Sequence, residues 1–278
     1  MYYADLQRKR FNYYYVAEDN AVENNIRAIY QDTDERNILW LGTRDKGVIV
    51  FDRESKTILR HYEHDPIKTN SLVHNDVRTI YQDKNGFLWI GTKGGVDRFD
   101  PATDHFYNIM RGSGNDYRFY VFCIYQDHLD NLWIATFDGL HKYDVRTDNI
   151  ITYGEEDGVF VHPTIRFIME DNDYNLWVGT EVGGLTMLKR KPHTAHQEKF
   201  ESLQFVNNPD DDKSLSDNRL YSVCKDESGN LWFGTSAGLN KYNPSSGDFS
   251  VINKNDGLPN DMILGILSCL LYTSDAAD

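Results

Sequence analysis

The 278-residue sequence contains few cysteines, and the three that it has show no pairing pattern. Cys123, Cys224 and Cys269 are an odd number without the spacing of metal ligands, which argues against a disulfide framework and a cysteine-bound zinc ion. Cys123 and Cys224 lie in the apolar runs VFCIYQD and SVCKD. In such runs we expect cysteine to act as a small buried hydrophobe rather than as a reactive thiol.

Positive charge is scarce as well, because 29 Lys and Arg stand against 43 Asp and Glu and give a formal net charge of -14. Nucleic-acid binding needs a basic surface, and binding to anionic membranes needs a polybasic segment, so the acidic balance disfavours both. No stretch of about 18 apolar residues occurs, so no transmembrane helix is predicted. Hydrophobic residues still make up 40% of the chain and aromatic residues 13%, which predicts a large core and excludes disorder.

Tryptophan is also rare, but its five copies all occupy the same sequence context. The contexts are RNILWLGT, NGFLWIGT, DNLWIAT, YNLWVGT and GNLWFGT, and a glycine follows each tryptophan six or seven residues later. Asp83, Asp127, Asp171 and Asp226, each at the end of a first strand, precede four of them by six residues, and Asp32 at the equivalent strand end precedes the first by eight. The intervals between successive tryptophans are 49, 44, 44 and 55 residues, which indicates an internal repeat. The five repeat tryptophans are Trp40, Trp89, Trp133, Trp177 and Trp232.

Each repeat unit predicts four short strands. Segments such as IRAIYQD are rich in β-branched and aromatic residues, turn residues such as DKNG follow them, and the LWIGT segment forms the second strand. GVDRFD and DHFYNIM supply the third and fourth strands in one unit. Four antiparallel strands at this period predict an all-β fold, a fragment of a β-propeller with five full blades and partial blades at both ends.

The recurring residues have structural explanations that need no chemistry. A tryptophan at a fixed strand position is expected to pack between adjacent blades, where it buries a large apolar surface. The aspartate before the hairpin is expected to accept hydrogen bonds from the N–H groups of the turn, and the glycines allow tight turns. We therefore assign a structural role to all five tryptophans.

The repeat also predicts the limits of the blades and the nature of both ends. Full blades are predicted at 26–76, 77–118, 119–163, 164–218 and 219–260. Residues 1–25 are interpreted as the end of a truncated blade, 261–267 as the first strand of the next blade, and 268–278 as a non-native tail. The amino terminus MYYADLQRKRFNYYYV lacks the apolar region of a signal peptide, but in a fragment this absence does not indicate a compartment.

The unit VRTIYQDKNGFLWIGTKGGVDRFDPATDHFYNI at 77–109 resembles the two-component regulator propeller repeat. The linkers at 61–76, 205–219 and 252–261 are similar to those of the same family, and the resemblance covers about residues 10–267. It implies the sensor region of a bacterial hybrid two-component histidine kinase, with seven-bladed propellers in tandem. The resemblance also implies a following β-sandwich, a transmembrane helix and a kinase module that acts through a phosphorelay.

From this resemblance we expect an extracytoplasmic, ligand-sensing propeller on the periplasmic face of the inner membrane, within a membrane-anchored parent. The expected ligand is a small molecule or oligosaccharide, and the expected partners are the second propeller, the β-sandwich and the kinase of the same protein. A homodimer is left open, and no nucleic acid is expected to bind this segment. Two other functions stay open: a protein-interaction platform of WD40 type, and a propeller lyase or glycosidase.

The sequence predicts no metal, no cofactor and no catalytic residue in this segment. The acidic turns at 171–175 and 209–214 lack the glycine and the glutamate of an EF-hand loop. Arg27, Arg78 and Arg166 occupy equivalent positions in three first strands, as in an arginine cluster of a sialidase, but repeat equivalence is the simpler cause. Phe122 and Tyr221 fill the same position in the other two strands.

A ligand is expected on the face that is built by the loops between blades and between second and third strands. Guanidinium groups, carboxylates, amides and rings on this face can hydrogen-bond to a sugar and stack on it. The candidate ligand-binding residues are Arg44, His74, Asn75, Lys93, Arg118, Phe137, Asp138, His162, Glu181 and Arg219.

Overall fold

The computed structural model describes residues 25–33, 35–112, 116–154, 159–160, 162–191 and 199–266. The chain divides into two compact units, Met1–Thr152 and Tyr153–Asp278. In the described part, no helix is long and apolar enough to cross a membrane. The predicted ends at 1–24 and 268–278 lie outside the described residues.

Blades one to three begin in the first unit, and each is one four-stranded antiparallel sheet. Blade one consists of β1 (Ile26–Gln31), β2 (Ile38–Thr43), β3 (Val48–Asp52) and β4 (Thr57–Tyr62). Blade two consists of β5 (Val77–Gln82), β6 (Leu88–Thr92), β7 (Gly95–Asp100) and β8 (His105–Arg111). Blade three consists of β9 (Val121–Gln126), β10 (Leu132–Thr136), β11 (Gly139–Asp144) and β12 (Asn149–Tyr153).

The second unit contains two further sheets of the same kind. Blade four consists of β13 (Ile165–Glu170), β14 (Leu176–Thr180), β15 (Leu185–Arg190) and β16 (Phe200–Phe205). Blade five consists of β17 (Leu220–Lys225), β18 (Leu231–Thr235), β19 (Leu239–Asn243) and β20 (Asp248–Ile252). The predicted all-β fold of four-stranded antiparallel blades is confirmed. Residues 262–266 form no strand, although Ile263 N–H donates to the carbonyl of Thr235 at the end of β18.

The second strand of each blade is its most buried part. Every residue of β6, β10 and β14 is buried, whereas β4 and β16 are mostly exposed. In blade two, the LWIGT segment is apolar on both faces of the strand because Leu88 and Ile90 pack in one core cluster with Trp40 of blade one, while Trp89 packs in another with Ile134 of blade three. The fourth strand carries charged and polar residues because it forms the exposed edge of the sheet.

The tryptophans of blades one and two pack against the next blade. Trp40 lies 5.4 Å from Phe99 of blade two, and Trp89 lies 5.3 Å from Tyr143 of blade three, between ring centroids. Trp177 of blade four similarly lies 4.6 Å from Tyr242 of blade five. These contacts bury large aromatic surfaces between sheets, which is the main apolar contribution to holding the blades together.

The aspartate of the repeat binds both the turn and the tryptophan. In blade two, Asp83 Oδ1 accepts from the N–H groups of Asn85 and Phe87, and Asp83 Oδ2 accepts from Trp89 Nε1 at 2.8 Å. Blades three to five repeat the tryptophan bond at 2.7–2.9 Å. In blade five, the bonds from Trp232 and Asn230 lower the pKa of Asp226 to about 2. The carboxylate therefore joins the hairpin to the centre of the sheet.

Blade one departs from this arrangement. The turn after β1 is two residues longer, and Asp32 Oδ1 accepts from the N–H of Glu35. Trp40 Nε1 is buried and has no hydrogen-bond partner among the described residues. In the longer turn of blade one, the indole N–H of Trp40 is thus a buried donor without a hydrogen bond among the described residues, which is energetically unfavourable.

The glycine of the LWIGT segment is required by the close approach of neighbouring strands. A Cβ atom on Gly91 would lie 2.5 Å from Thr79 Cγ2 and 2.6 Å from Val121 Cγ1 of blade three. A Cβ atom on Gly42 would lie 2.6 Å from Val77 Cγ1 of blade two. Blades one to three are therefore packed too closely at these points for a larger side chain without rearrangement.

Two buried polar side chains occupy the same position of the third strand in the first unit. Asp97 accepts from the N–H of Val73 at 2.8 Å and from Asn108 Nδ2, and its burial raises its pKa to about 7. His141 lies 2.9 Å from both Thr136 Oγ1 and Thr152 Oγ1, and its burial lowers its pKa to about 4. Asp97 thereby fixes the linker that precedes blade two.

Candidate functional site

The loop face is organised by one backbone hydrogen bond that recurs in every blade. A residue in the turn after the second strand donates its N–H to the carbonyl of the residue just before the first strand. In the first unit, the donors Arg44, Lys93 and Phe137 bond at 2.9–3.1 Å to Asn25, Asp76 and Tyr120, respectively. In the second unit, Glu181 bonds to Thr164 at 3.0 Å and Ser236 to Arg219 at 3.2 Å. Side chains from these two loops therefore lie beside the start of the innermost strand.

In the first unit, two arginines share one buried carboxylate on this face. Arg27, in β1, lies 3.2 Å from Asp76 through Nη1 and Oδ1, and Arg78, in β5, lies 3.6 Å from it through Nη2 and Oδ2. The side chain of Asp76 is 10% exposed, whereas those of Arg27 and Arg78 are 26% and 22% exposed. The carboxylate is therefore enclosed while the guanidinium groups remain accessible to solvent.

An aromatic ring extends this pair of arginines towards blade three. The Arg78 guanidinium and the Lys93 ammonium each lie 5.1 Å from the centroid of the Tyr120 ring. Arg78 also lies 5.6 Å from the ring of Phe122, at the start of β9. Contacts of this kind with aromatic faces attract and orient the cations. We call Arg27, Asp76, Arg78, Lys93 and Tyr120 the cationic cluster.

His74 and Asn75 support this cluster from the linker. His74 Nδ1 accepts from the N–H of Asp76 at 2.9 Å, and burial lowers the pKa of His74, so its ring is neutral at pH 7. Asn75 Oδ1 accepts from the N–H of His64 at 2.6 Å, and the carbonyl of Asn75 accepts from Gly47. The amide oxygen of Asn75 is therefore used inside the linker, while His74 holds the backbone of Asp76 in the cluster.

Three other predicted residues form a separate group in the first unit. Arg118 donates to both oxygens of Asp116, at 2.7–3.2 Å, and this contact lowers the pKa of Asp116. Phe137 packs edge-on against Tyr117 with 5.1 Å between ring centroids, and Asp138 is exposed beside it. Arg44 is exposed at the corresponding turn of blade one.

The second unit carries the three remaining candidates. Glu181 Oε1 lies 3.4 Å from Arg166 Nη2, so the arginine equivalent to Arg78 has a carboxylate of its own. His162 Nδ1 accepts from the N–H of Thr164 at 3.2 Å, which is the bond that His74 makes in blade two. Arg219 is exposed and lies 3.5 Å from Asp217.

Sequence reasoning did not include Arg27, Asp76, Arg78 and Tyr120 among the ligand-binding candidates. The signal was present for the two arginines, because repeat alignment places both at the second position of a first strand. That equivalence was interpreted as a consequence of the repeat alone. Asp76 and Tyr120 stand just before β5 and β9, and no residue type recurs there that would have marked them.

A second concave surface lies along β8 and β12 in the first unit, with a volume of about 510 Å³. Two of its polar side chains have partners within the surface: Tyr143 Oη donates to Asp148 at 2.7 Å, and the Arg98 guanidinium lies 4.7 Å from the centroid of the Tyr107 ring. Within the described residues, no group of three or more His, Cys, Asp or Glu side chains is arranged to hold a metal ion. The cationic cluster combines partly exposed hydrogen-bond donors with an aromatic ring on the loop face.

Three segments of the chain match the family model of the two component regulator propeller, at residues 71–94, 114–138 and 214–237. No curated protein sequence matches the chain. Each matched segment contains the end of a linker or the start of a first strand, together with the LW strand of a blade. The match therefore includes Asp76, Arg78, Lys93 and Tyr120 of the loop face, whereas Arg27 lies outside the matched segments.

Among solved structures, the chain is similar to the extracellular domain of the putative hybrid two component system BT3049 from B. thetaiotaomicron. The identity is 20% and the TM-score 0.67, over 90% of this chain and 32% of that one. The corresponding domain of BT4673 from the same organism is 19% identical, with a TM-score of 0.56 over 87% of this chain and 37% of that one. The chain thus spans about a third of the length of these domains.

The chain is also similar to virginiamycin B lyase from Staphylococcus aureus, at 11% identity and a TM-score of 0.62 over 87% of this chain and 73% of that one. At these identities the structural similarities show a shared propeller fold, and the matched segments identify the type of repeat. Three segments of this propeller-like chain are therefore of the two-component regulator propeller type.

Proposed function

We propose that this chain is part of the extracytoplasmic sensor of a hybrid two-component protein and binds an oligosaccharide on its loop face. The matched repeats and the similarity to extracellular domains of such systems support this proposal. The propeller has no catalytic role of its own in this proposal. It acts with the second propeller, the β-sandwich and the histidine kinase of a membrane-anchored parent, on the periplasmic side, with a homodimer as one possible assembly.

The observation that carries the proposal is the cationic cluster. Sugar hydroxyl groups are recognised by side chains that present several hydrogen-bond donors and acceptors in fixed positions, and sugar rings pack on aromatic faces. Arg27, Arg78 and Lys93 supply such donors and Tyr120 supplies a ring, while the enclosed carboxylate of Asp76 holds the two arginines in place. The candidates Arg44, His74 and Phe137 lie on the same loop face of the first unit and belong to the proposed binding surface.

The position of the cluster also supports a mechanism. Arg27 belongs to blade one, Asp76 and Arg78 to blade two, and Tyr120 stands at the start of blade three. A ligand that contacts all of them therefore contacts three blades at once. If it binds one packing of the blades more tightly than another, it shifts the population towards that packing, and the change is transmitted to the kinase.

The test is a thermal-shift screen of neutral and acidic oligosaccharides on the 278-residue chain. A ligand at 100 times its dissociation constant is expected to stabilise the folded state by about 2.7 kcal/mol. Tyr120→Leu is expected to abolish the shift. The matched control is Tyr107→Leu, because Arg98 lies on that ring as Arg78 lies on Tyr120, but Tyr107 is in β8, away from the loop face.

Three results would contradict the proposal. Turnover of a glycan by the purified chain would favour the lyase or glycosidase function. Capture of a defined protein, with no response to any saccharide, would favour a platform of WD40 type. A shift that Tyr107→Leu removes as effectively as Tyr120→Leu would place the ligand outside the loop face.

A further inference from the structure

The concave surface along β8 and β12 lies between the outer strands of blades two and three. Both are edge strands, each paired on one side only within its sheet. The turn at 145–148 joins β11 to β12 at the end of blade three opposite the loop face, so the surface is separate from the cationic cluster. Its volume of about 510 Å³ is within the range of ligand-binding clefts. We call it the side groove and define it by Arg98, Tyr107, Tyr143, Val145, Asp148 and Ile150.

The guanidinium group of Arg98 enters the side groove without an ion pair. Arg98 Nε is buried, and no residue in the described part of the chain accepts a hydrogen bond from it. The rings of Phe87 and Tyr107 lie on the guanidinium group, with centroids 4.9 and 4.7 Å from Cζ. These rings fix the orientation of the group but provide no hydrogen-bond acceptor in its plane. Arg98 therefore presents N–H donors that an added carboxylate can pair with.

The acidic group nearest to Arg98 along β7 is engaged in its own turn. Asp100 Oδ2 accepts from Thr103 Oγ1 at 2.8 Å, and Oδ1 accepts from the N–H of Ala102 at 2.9 Å. The bond from Thr103 is the first cause of the lowered pKa of Asp100, and the charge of Arg98 adds to the same effect from a distance. Asp100 thus stays bound to the turn and forms no ion pair with Arg98.

The wall of the side groove on blade three supplies an acceptor. Tyr143 Oη donates to Asp148 Oδ1 at 2.7 Å, and Asp148 Oδ2 has no partner among the described residues. Burial raises the pKa of Tyr143 to about 12, and Arg98 acts in the opposite direction, so its charge reaches the Tyr143 hydroxyl across the groove. The two walls therefore offer N–H donors on blade two and a carboxylate oxygen on blade three.

Apolar side chains surround these polar groups. Tyr107 is 39% exposed, Val145 37% and Ile150 36%. Exposed apolar side chains that are grouped around a cleft indicate a contact surface, whereas scattered ones do not. A small carboxylate would pair with Arg98 but would leave these three side chains uncovered. The occupant therefore has to combine one anionic group with apolar groups on either side of it.

An extended peptide has this combination. A carboxylate side chain matches the parallel N–H donors of a guanidinium group, and a backbone N–H can donate to the free oxygen of Asp148. Side chains of an extended peptide alternate between its two sides, so residues next to the acidic one reach both walls. Such segments commonly bind along the edges of sheets. The formal net charge of -14 on the whole chain repels a polyacidic segment and favours one with a single carboxylate.

We propose that the side groove binds an extended segment of another protein that carries one Asp or Glu between β-branched or aromatic residues. The carboxylate pairs with Arg98, a backbone N–H donates to Asp148, and the apolar side chains cover Tyr107, Val145 and Ile150. The groove is separate from the loop face, so this inference goes beyond the proposed function and does not depend on it.

The test is binding of the full 278-residue chain to an array of octapeptides with acetylated and amidated ends. Each peptide has a central Glu flanked on both sides by two residues drawn from Val, Ile, Tyr and Thr, with Ser at the ends. Each also has a twin with Gln in place of Glu. The strongest pairs are then labelled and measured by fluorescence anisotropy. The acidic peptide is expected to bind at least tenfold more tightly than its twin, because one hydrogen bond to a charged group accounts for about this difference.

Two variants locate the site. Arg98→Gln removes the cation, and its matched control is Lys142→Gln. Lys142 stands opposite Trp133 in β11 as Arg98 stands opposite Trp89 in β7, but it does not line the side groove. Arg98→Gln is expected to weaken the acidic peptide by roughly tenfold and to leave its Gln twin nearly unchanged, whereas Lys142→Gln binds both peptides like the parent chain.

The second variant, Ile150→Glu, places a carboxylate on the exposed wall of the groove. It is expected to weaken the acidic peptide by tenfold or more, because like charges and a lost apolar contact act together. Ile58→Glu is its matched control, since Ile58 is 40% exposed on β4, the fourth strand of blade one. Ile150 is at the surface, so this variant tests the inference even if circular dichroism shows that Arg98→Gln disturbs folding.

Four results would overturn the inference. The acidic class is wrong if no Glu peptide binds more tightly than its Gln twin, or if no peptide of the array binds. The location is wrong if Arg98→Gln and Ile150→Glu bind the acidic peptide unchanged. A loss of the same size in Lys142→Gln or Ile58→Glu would show a general effect of charge. If N-acetylglutamate displaces the labelled peptide as effectively as the unlabelled peptide does, the groove binds small carboxylates and the peptide class is wrong.

Discussion

Trp89 makes a hydrogen bond that Trp40 does not make. Comparing the phenylalanine variants of the two tryptophans therefore measures how much this hydrogen bond contributes to the free energy of unfolding. Trp89 Nε1 donates to the buried carboxylate of Asp83 at 2.8 Å, whereas Trp40 Nε1 has no partner among the described residues. Both rings are at least nine-tenths buried and pack against an aromatic residue of the next blade. The loss of ring volume is therefore similar in Trp89→Phe and Trp40→Phe.

The hydrogen bond separates the two variants. Trp89→Phe loses a bond to a charged acceptor, worth about 1.5–3 kcal/mol, and leaves Asp83 Oδ2 without its donor. Among the described residues, Trp40→Phe loses no hydrogen bond and removes a buried donor that has no partner there. We therefore expect Trp89→Phe to lower the free energy of unfolding by about 2 kcal/mol more than Trp40→Phe.

The assay is urea-induced unfolding followed by far-ultraviolet circular dichroism, which does not depend on tryptophan fluorescence. The slope of the transition shows whether each variant unfolds like the parent chain. Equal losses in the two variants, or a larger loss in Trp40→Phe, would show that the aspartate–tryptophan bond does not stabilise the blade. The double variant Asp83→Ala/Trp89→Phe measures the coupling between the two residues directly.

Three further predictions concern close packing and buried ionisable groups in the first unit. Gly91→Ala is expected to destabilise the chain by roughly 1–3 kcal/mol in the same unfolding assay, because the added Cβ would meet Thr79 and Val121. Gly154→Ala is the control and should change little, because an added Cβ there would meet no described atom within 4 Å. Burial raises the folded-state pKa of Asp97 to about 7, above the ordinary value of 3.8, so the chain loses stability as pH rises from about 4 to 7. In Asp97→Asn, the difference in melting temperature between pH 5 and pH 8 should therefore be smaller than in the parent chain. An unchanged difference would show that Asp97 does not cause the loss of stability. Burial lowers the folded-state pKa of His141 from 6.5 to about 4, so the stability that its neutral ring contributes is present above pH 6.5 and is lost as pH falls towards 4. In thermal melts between pH 4 and 7, His141→Gln should lose less stability on acidification than the parent chain. An equal loss in both would contradict this prediction.

The order of the strands and the role of each strand could be predicted from the sequence because every blade repeats the same pattern. LWIGT is apolar at every position that faces a neighbour, and all five copies form the buried second strand. The hairpin aspartate stands six residues before the tryptophan in four blades, which is the separation that the Asp83–Trp89 bond requires. At these positions the local sequence pattern and the tertiary packing agree, so the repeat in the sequence was sufficient to predict the strands and their burial.

The composition of the candidate site could not be predicted in the same way. When the repeats are aligned, Arg27, Arg78 and Arg166 occupy the same position of the first strand, but the residues around them differ. Arg27 and Arg78 share Asp76, whereas Arg166 lies beside Glu181. The difference arises because the partner of each arginine belongs to a loop that does not repeat in sequence.

The sequence by itself therefore determined the repeat, the four-stranded blade and the residues that close each hairpin, because these depend on contacts within about a dozen residues. Only the tertiary structure decided that Arg78 and Lys93 meet on Tyr120, because that contact joins blade two to the start of blade three. It also decided that the indole N–H of Trp40 has no hydrogen-bond partner in the part of the chain that the structure describes, where Asp32 accepts from the N–H of Glu35 instead. Packing of the blades brings residues that are far apart in the chain into contact, and a local sequence pattern does not predict these contacts.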